Sequence, residues 1–255
     1  MLTDSTQLLK KERHTLIVKQ INLHNKVLSS DLASLLNVSE DTVRRDLNEL
    51  ADAGVILKVH GGALSKSFHS PFQQNDVYAV DAKKEVAKKV LRLLKNDMVI
   101  LTGGGTTMLE LARMIPEKLQ ARVFTVSPLI ALQLADHPLI DVFLIGGQLS
   151  KNSQISIGAS VISYLSEIKF DLCLLGTNGI APNEGITDSD WEIVQVKKAM
   201  IKSSKSSAVL CIAEKLNSVQ RMKVCELNQI THIITDLDPT NENLLPYKQP
   251  ALSLL

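Results

Sequence analysis

The chain has 255 residues and is 45% hydrophobic, so it can bury the core of one large domain or of two modest ones. Its formal net charge is +1, and residues 1–66 carry 9 Lys and Arg against 8 Asp and Glu. Bulk charge therefore neither indicates nor excludes a nucleic-acid partner, and only the positions of individual charges can indicate one.

The sequence shows no sign of secretion or of membrane insertion. No apolar run reaches the roughly 18 residues of a membrane span, and residues 1–14 lack the apolar centre of a signal peptide. Cys173, Cys211 and Cys225 are widely spaced, and the histidines have no metal-ligand spacing. We expect a cytoplasmic protein with reduced core cysteines, no metal site, no cofactor and no membrane partner.

The first part of the chain has the periodicity of α-helices. Residues 9–21 place Leu, Ile and Val side chains on one helical face, and a second apolar segment follows at 32–36. Ser29 or Ser30 is expected to cap this second helix, and Asn37 begins a tight turn.

A third helix follows this turn. Ser39 is the expected cap, and Val43, Leu47 and Leu50 recur at the spacing of one buried face. Gly54 is well placed to end the helix. Residues 55–59 then form a short β-type run that Gly61 and Gly62 close.

The third helix carries two adjacent arginines, Arg44 and Arg45, away from its apolar face. On an isolated helix this pattern is typical of surface arginines paired with nearby carboxylates. Three short helices, a tight turn before the third, and a strand pair closed by Gly-Gly instead indicate a winged helix-turn-helix, whose third helix enters the major groove. The predicted DNA contacts are Ser29, Ser39, Thr42, Arg44 and Arg45, with Lys58 and His60 on the wing.

The stretch "LASLLNVSEDTVRRDLNELADAGVILKVHGGA" resembles the DeoR family of bacterial transcriptional regulators. That family carries V-S-x-x-T-[IV]-R-R-D-L followed by a hydrophobic wing that ends in H-G-G-A. The resemblance covers more than thirty residues, and it implies binding to a double-stranded DNA operator.

From Lys83 onward, short apolar β-rich runs alternate with helical segments. This alternation predicts a mostly parallel, doubly wound α/β sheet covered on both faces. The expected strands are 98–102, 122–126, 141–145, 170–175, 208–212 and 232–236.

These patterns divide the chain into four parts. Residues 1–63 form the winged helix-turn-helix, and the aperiodic, serine-containing segment 64–80 is a linker. Residues 81–238 form the α/β effector domain, and residues 239–255 are a tail.

A glycine-rich loop lies between the first strand and the first helix of the α/β region. It lacks the Gly-Lys-Ser/Thr of a P-loop, and Met108 stands where a G-x-G-x-x-G motif needs its last glycine. A tight strand–helix turn explains three glycines by itself. The two threonines at the helix start favour an anion site, because hydroxyls and backbone N–H groups converge there.

The C-terminal domain of the DeoR family resembles ribose-phosphate isomerases and senses phosphorylated sugars. The resemblance implies a cationic contact from Lys215 to the sugar phosphate and contacts to the sugar hydroxyls from Asp171, Asn178 and Thr187. It implies phosphate binding by Gly103, Gly104, Gly105, Thr106 and Thr107.

The chain departs from the family pattern at two points. Residues 125–127 read Thr-Val-Ser where the family often has Thr-Asn-Ser, and residues 212–214 read Ile-Ala-Glu where Asp-x-Ser is common. Both changes remove polar groups from the expected pocket, so the sugar is expected to differ more than the phosphate contact.

The favoured function is a repressor, active as a homo-oligomer, whose DNA affinity falls when a phosphorylated sugar binds. The alternative is a sugar-phosphate isomerase or deaminase with an appended DNA-binding domain. A third interpretation, an architectural DNA-binding protein, leaves the glycine loop unexplained. The acid and base groups for the enzyme would be Asp171, Glu184, Asp188, Asp190 and Lys215.

Overall fold

The computed structural model describes residues 9–66 and 78–255, which belong to two compact units divided between Tyr78 and Ala79. Most of the expected linker, 64–80, lies outside the described residues. Its first two residues belong to a strand, Gly62–Ser65, so the first unit extends beyond the boundary expected at residue 63.

The first unit has the predicted three helices followed by a wing. A short strand before the second helix was not predicted, and it joins the wing in an antiparallel sheet of order β1-β3-β2. The elements in residues 9–66 are α1 (Lys10–His24), β1 (Lys26–Leu28), α2 (Ser29–Leu36), α3 (Glu40–Asp52), β2 (Ile56–Val59) and β3 (Gly62–Ser65).

The turn between α2 and α3 forms as the sequence predicts. Asn37 adopts the left-handed conformation that ends α2, and the Ser39 Oγ accepts a hydrogen bond of 3.2 Å from the Thr42 N–H. The expected cap of α2 is wrong: Leu28 holds the cap position without a side-chain bond, while the Ser29 N–H donates to the Gly61 carbonyl at 2.8 Å.

A buried carboxylate fixes α3 against α1. Asp46 is only 2% exposed, and its Oδ1 lies 3.0 Å from both Arg13 Nη2 and His14 Nε2. Burial alone would raise the pKa of Asp46, but the hydrogen bonds from these two side chains outweigh it and lower the pKa below its ordinary value. The carboxylate next to Arg45 in sequence therefore holds the helix in place.

We expect Asp46→Ala to destabilise the first unit by about 3 kcal/mol, because Arg13 and His14 of α1 lose the carboxylate that they contact. The carboxyl of Asp41 is 65% exposed, so Asp41→Ala should cost less than about 1 kcal/mol. Urea unfolding of the full chain, monitored by hydrogen exchange at the amides of α3, measures both losses of stability. The contribution of Asp46 is present above its ordinary pKa and is lost as the pH falls through the lowered one. Equal costs for the two variants would contradict the anchoring role.

The second unit alternates strands and helices. Its elements in residues 78–255 are α4 (Val80–Leu91), β4 (Val99–Thr102), α5 (Thr106–Met114), β5 (Ala121–Thr125), α6 (Pro128–Leu134), β6 (Ile140–Leu144), β7 (Gln148–Leu149), β8 (Ser156–Ile157), α7 (Ala159–Ser166), β9 (Phe170–Gly176), β10 (Gly179–Ala181), β11 (Gly185–Asp188), α8 (Trp191–Lys202), β12 (Ser204–Leu210), β13 (Met222–Cys225), β14 (His232–Ile234) and β15 (Ser253–Leu254).

Seven of these strands form one parallel sheet of order β15-β14-β12-β9-β4-β5-β6. The six predicted strands are confirmed, and successive side chains pack on opposite faces. Leu101 and Phe124 contribute to the cluster with α7 and α8, whereas Ile100 and Val123 line the space against α5 and α6. The sheet is therefore doubly wound, as the alternating pattern predicts.

The interpretation of residues 239–255 as a tail is wrong. Tyr247 is fully buried, its hydroxyl donates to the Ile180 carbonyl at 3.0 Å, and the Asn217 N–H donates to the same hydroxyl at 2.8 Å. β15 then adds the seventh strand beside β14. A two-residue strand has too little periodicity to be recognised from sequence.

The three cysteines are buried free thiols, as expected for core residues. Burial raises the pKa of both the Cys211 and the Cys225 thiols to about 12. Within the described residues, no helix has both the length and the apolar character needed to cross a membrane.

Candidate functional site

The arginines of α3 are held loosely at an open surface. The side chains of Arg44 and Arg45 are 67% and 78% exposed. Arg45 Nη2 lies 3.1 Å from Asp41 Oδ2, and Arg44 Nη1 lies 3.9 Å from Asp41 Oδ1. Exposed ion pairs of this kind contribute less than about 1 kcal/mol, so they orient both guanidinium groups without sequestering them.

The other predicted DNA-contact residues differ in exposure. The Thr42 hydroxyl is exposed beside the Ser39 Oγ at 2.9 Å, Lys58 Nζ donates to the Asn48 amide oxygen on α3, and His60 is exposed in the wing turn. The assignment of Ser29 is corrected, because this residue is only 7% exposed beneath the wing.

The glycine loop after β4 has a backbone that requires glycine. At Gly104, a Cβ would lie 2.5 Å from Cγ2 of Ile155, and Gly105 has a φ of +111°. The loop turns directly into α5, whose first residues are Thr106 and Thr107. The first N–H groups of a helix have no acceptor within it, so these donors and two hydroxyls form a candidate anion-binding corner.

Lys215 reaches this edge of the sheet from the loop after β12. Its Nζ donates to the Thr177 carbonyl at 2.7 Å, just beyond the end of β9. The Gly176 position lies beside the Gly104 carbonyl, so the lysine and the glycine loop lie on either side of the end of β9, at the carboxyl ends of the parallel strands. Burial lowers the pKa of Lys215 to about 8.

A hydrogen-bonded pair of polar residues lies beside Lys215. Asn178 Nδ2 donates to Asp188 Oδ1 at 3.0 Å, and Lys197 Nζ lies 2.7 Å from Asp188 Oδ2. Burial would raise the pKa of Asp188, but the charge of Lys197 and these hydrogen bonds lower it below its ordinary value. Asp188 therefore stays ionised and orients the Asn178 amide.

Sequence reasoning missed Lys83, a further lysine of this region. It is only 6% exposed on α4, within electrostatic range of Lys215, Glu110 and Glu214. Burial, together with the positive charge of Lys215, lowers the pKa of Lys83 to about 7. Its helical spacing to the buried Val86 and Val90 was the available signal, since it places Lys83 on the apolar face of α4.

Two predicted sugar contacts are not brought to this site. Asp171 lies at the start of β9, where it accepts from the Val99 N–H and pairs with Lys205 at 2.7 Å. About 20 Å of strand separates it from the carboxyl edge, so its assignment is wrong. The hydroxyl of Thr187 is buried and accepts from the Gln220 N–H at 2.8 Å, which gives it a structural role.

A winged helix-turn-helix unit and an α/β unit with an anion-binding corner together define a ligand-responsive DNA-binding regulator. Residues 13–68 match the family model of the DeoR-like helix-turn-helix domain, and residues 78–237 match that of the DeoR C terminal sensor domain. The chain belongs to the DeoR family of transcriptional regulators.

Relatives of the chain match it along most of its length. The HTH-type transcriptional repressor GlcR of Bacillus subtilis (strain 168) is 30% identical over 233 residues, covering 90% of each protein. The glycerol-3-phosphate regulon repressor of Escherichia coli (strain K12) is 26% identical over 230 residues, covering 89% of this chain and 91% of that protein. A D-ribose-5-phosphate isomerase solved in complex with phospho-erythronic acid aligns with 52% of each chain at 20% identity and a TM-score of 0.40.

Anion binding at this corner is expected to depend on pH. The pKa of Lys83 is about 7 and that of Lys215 about 8, and a bound phosphate dianion raises both, so binding takes up protons. Affinity should therefore fall as the pH rises from about 7 to 9, by up to about tenfold per unit for each proton taken up. Calorimetry with phosphorylated sugars, in two buffers of different ionisation enthalpy, counts these protons.

The matched variants are Lys83→Met, Lys215→Met and, as the control, Lys84→Met, whose side chain is exposed beside Lys83. Each of the first two should weaken binding and reduce proton uptake, whereas the control should do neither. Wild-type affinity and proton uptake in both buried-lysine variants would place the anion elsewhere.

Proposed function

We propose that the chain is a repressor of a carbohydrate-metabolism operon and that a phosphorylated sugar controls its operator binding. The observation that carries this proposal is that one chain joins an exposed pair of arginines on α3 to an anion-binding corner in its second unit. Its relatives GlcR and the glycerol-3-phosphate regulon repressor are themselves repressors, which supports the same assignment.

At the operator, α3 enters the major groove and the wing follows the backbone. Arg44 and Arg45 donate to guanine edges or phosphates, and Thr42 contributes its hydroxyl. Lys58 and His60 contact the phosphate backbone. Asp41 keeps the arginines oriented, and its negative charge limits binding to DNA of unrelated sequence.

In the second unit, the phosphate of the effector binds at Gly103–Thr107. Backbone N–H groups and the Thr106 and Thr107 hydroxyls donate to its oxygens. Lys215 supplies the opposing positive charge, and Asn178, oriented by Asp188, contacts a hydroxyl of the sugar. The phosphate contact defines the ligand class, and the polar groups around it select the sugar.

The geometry favours a sensor over an isomerase or deaminase. Asp188 already accepts from Asn178, Lys197 and the Ser189 N–H, so it is engaged as a fixed anion. Asp171 lies at the amino ends of the strands, away from the carboxyl ends where Lys215 and the glycine loop lie. A turnover assay with pentose and hexose phosphates tests the alternative, and catalysis that Lys215→Met abolishes would support an enzyme.

We infer that the protein works as a homo-oligomer with two-fold symmetry. Two copies of α3 then read two half-sites, so the operator is expected to be a palindrome or a repeat. An operator selected by the protein itself from random duplexes reveals this symmetry directly.

On such a selected operator, Arg44→Ala and Arg45→Ala should each weaken binding by about 1–3 kcal/mol if the guanidinium contacts a base, with relaxed preference at one position. A phosphate contact would instead weaken all sequences alike and reduce the salt slope by about 1. Titration of fluorescent duplexes at several salt concentrations separates the two.

The control is Arg122→Ala, which removes the same charge from an exposed side chain of the second unit. It should leave operator affinity unchanged. Unaltered affinity in both α3 variants, with intact folding, would rule out α3 as the DNA-reading helix.

A further inference from the structure

The seven-stranded sheet ends at β6, an edge strand that exposes two large apolar side chains beside a single charge. Natural edge strands are commonly protected by charges or proline, which discourage pairing with another chain. β6 reads Ile-Asp-Val-Phe-Leu, and its exposed residues include Phe143 and Leu144, which are 40% and 50% exposed. Among the described residues, β5 is the strand that pairs with β6, on one side of it.

The hydrogen bonds between β5 and β6 show which backbone groups of β6 point away from the sheet. The Ile145 N–H donates to the Thr125 carbonyl of β5 at 2.8 Å. Because backbone groups alternate along a strand, those of Phe143 and Asp141 also face β5. The N–H and C=O groups of Val142 and Leu144 therefore point away from the sheet, toward the free side.

Phe143 packs against a neighbouring ring at this edge. Its ring stacks on Phe124 of β5, with centroids 4.4 Å apart and an angle of 9° between the planes. A preorganised, partly exposed aromatic ring flanked by aliphatic side chains loses little rotamer entropy when it is covered. Such residues commonly dominate the energetics of an interface.

The apolar surface here approaches the area that a small dimer needs. Leu139 precedes β6 and is 47% exposed, and Leu149 of β7 follows it and is 52% exposed. With Phe143 and Leu144 they expose on the order of 400 Å². A standard interface buries about 800 Å² per partner, of which a little over half is apolar.

We propose that β6 pairs with β6 of a second copy of this chain, antiparallel about a two-fold axis through Phe143, so that two seven-stranded sheets become continuous. In this register Phe143 faces its own copy across a non-hydrogen-bonded pair, where side chains approach most closely. Val142 of each copy lies opposite Leu144 of the other, and the outward N–H and C=O groups of both residues form hydrogen bonds across the pair.

The charges near the edge agree with this register. Asp141 is the charged residue of β6, and pairing centred on Phe143 places it opposite Ile145 of the second copy. The two Asp141 carboxylates then lie about four residues, or roughly 14 Å, apart along the strands, where solvent and salt screen their repulsion. This proposal rests on the homo-oligomer of the proposed function and assigns it a specific interface.

Sedimentation of the full chain at micromolar concentration tests the proposal with Leu144→Lys, Phe143→Asp and a matched control, Leu245→Lys. Leu245 is also 50% exposed but lies in the C-terminal segment that leads to β15, the strand at the other side of the sheet. We expect the wild type and the control to associate, and both β6 variants to dissociate with a dissociation constant raised about 100-fold. Thermal melting verifies that each variant is folded.

Hydrogen exchange identifies the surface independently. In the wild type, the amides of Val142 and Leu144 should exchange slowly, and in Phe143→Asp they should exchange at the rate of an open edge. The inward amide of Ile145 should stay protected in both. A wild type that sediments as a single chain, β6 variants that remain associated, or rapid exchange at Val142 in the oligomer would overturn the proposal. These measurements need neither operator nor effector, so their failure is separate from that of the proposed function.

Discussion

The parallel pairing of β12, β9, β4 and β5 is the constraint on which the candidate effector site depends. Because these strands run in one direction, the loops after them meet at a single edge. The hydrogen bond from Lys215 Nζ to the Thr177 carbonyl joins two of those loops, and the close approach of Gly104 to Ile155 and Ser127 joins two more. The fold itself therefore holds the donors of the candidate anion-binding corner in place.

The first unit reaches a comparable preorganisation with one buried charge. Asp46 holds α3 against Arg13 and His14 of α1, while the opposite face of α3 presents Arg44 and Arg45 to solvent. Side chains that must read base edges need a fixed helix beneath them, because a small displacement removes a bidentate bond. In the R-R-D motif, the arginines face outward and the aspartate secures the helix.

The sequence is sufficient to predict the elements whose periodicity is strong. Val43, Leu47 and Leu50 identify the buried face of α3, and the apolar runs identify six of seven strands, because burial imposes those patterns. β15 is too short to have one. Residues 253–254 become a strand only because β14 offers a free edge, and Tyr247 is drawn into the core by tertiary contacts.

The sequence predicts site residues that are contiguous, but not those whose position depends on the direction of a strand. The glycine loop and its threonines are contiguous, so the sequence alone indicates their chemistry. Asp171 lies at the start of β9 and Asn178 just after its end, and only the strand direction shows which of the two reaches the carboxyl ends of the sheet. Lys83 comes from α4, and its nearness to Lys215 is a product of the fold.

The proposed function requires the two units to be thermodynamically coupled. Titration of the full chain with operator, with and without a saturating phosphorylated sugar, measures this coupling. We expect the sugar to weaken operator binding by about 5–150-fold. Lys215→Met should remove this response and leave the operator affinity without sugar at the wild-type value. Equal operator affinity with and without a sugar whose binding calorimetry has demonstrated would contradict the coupling.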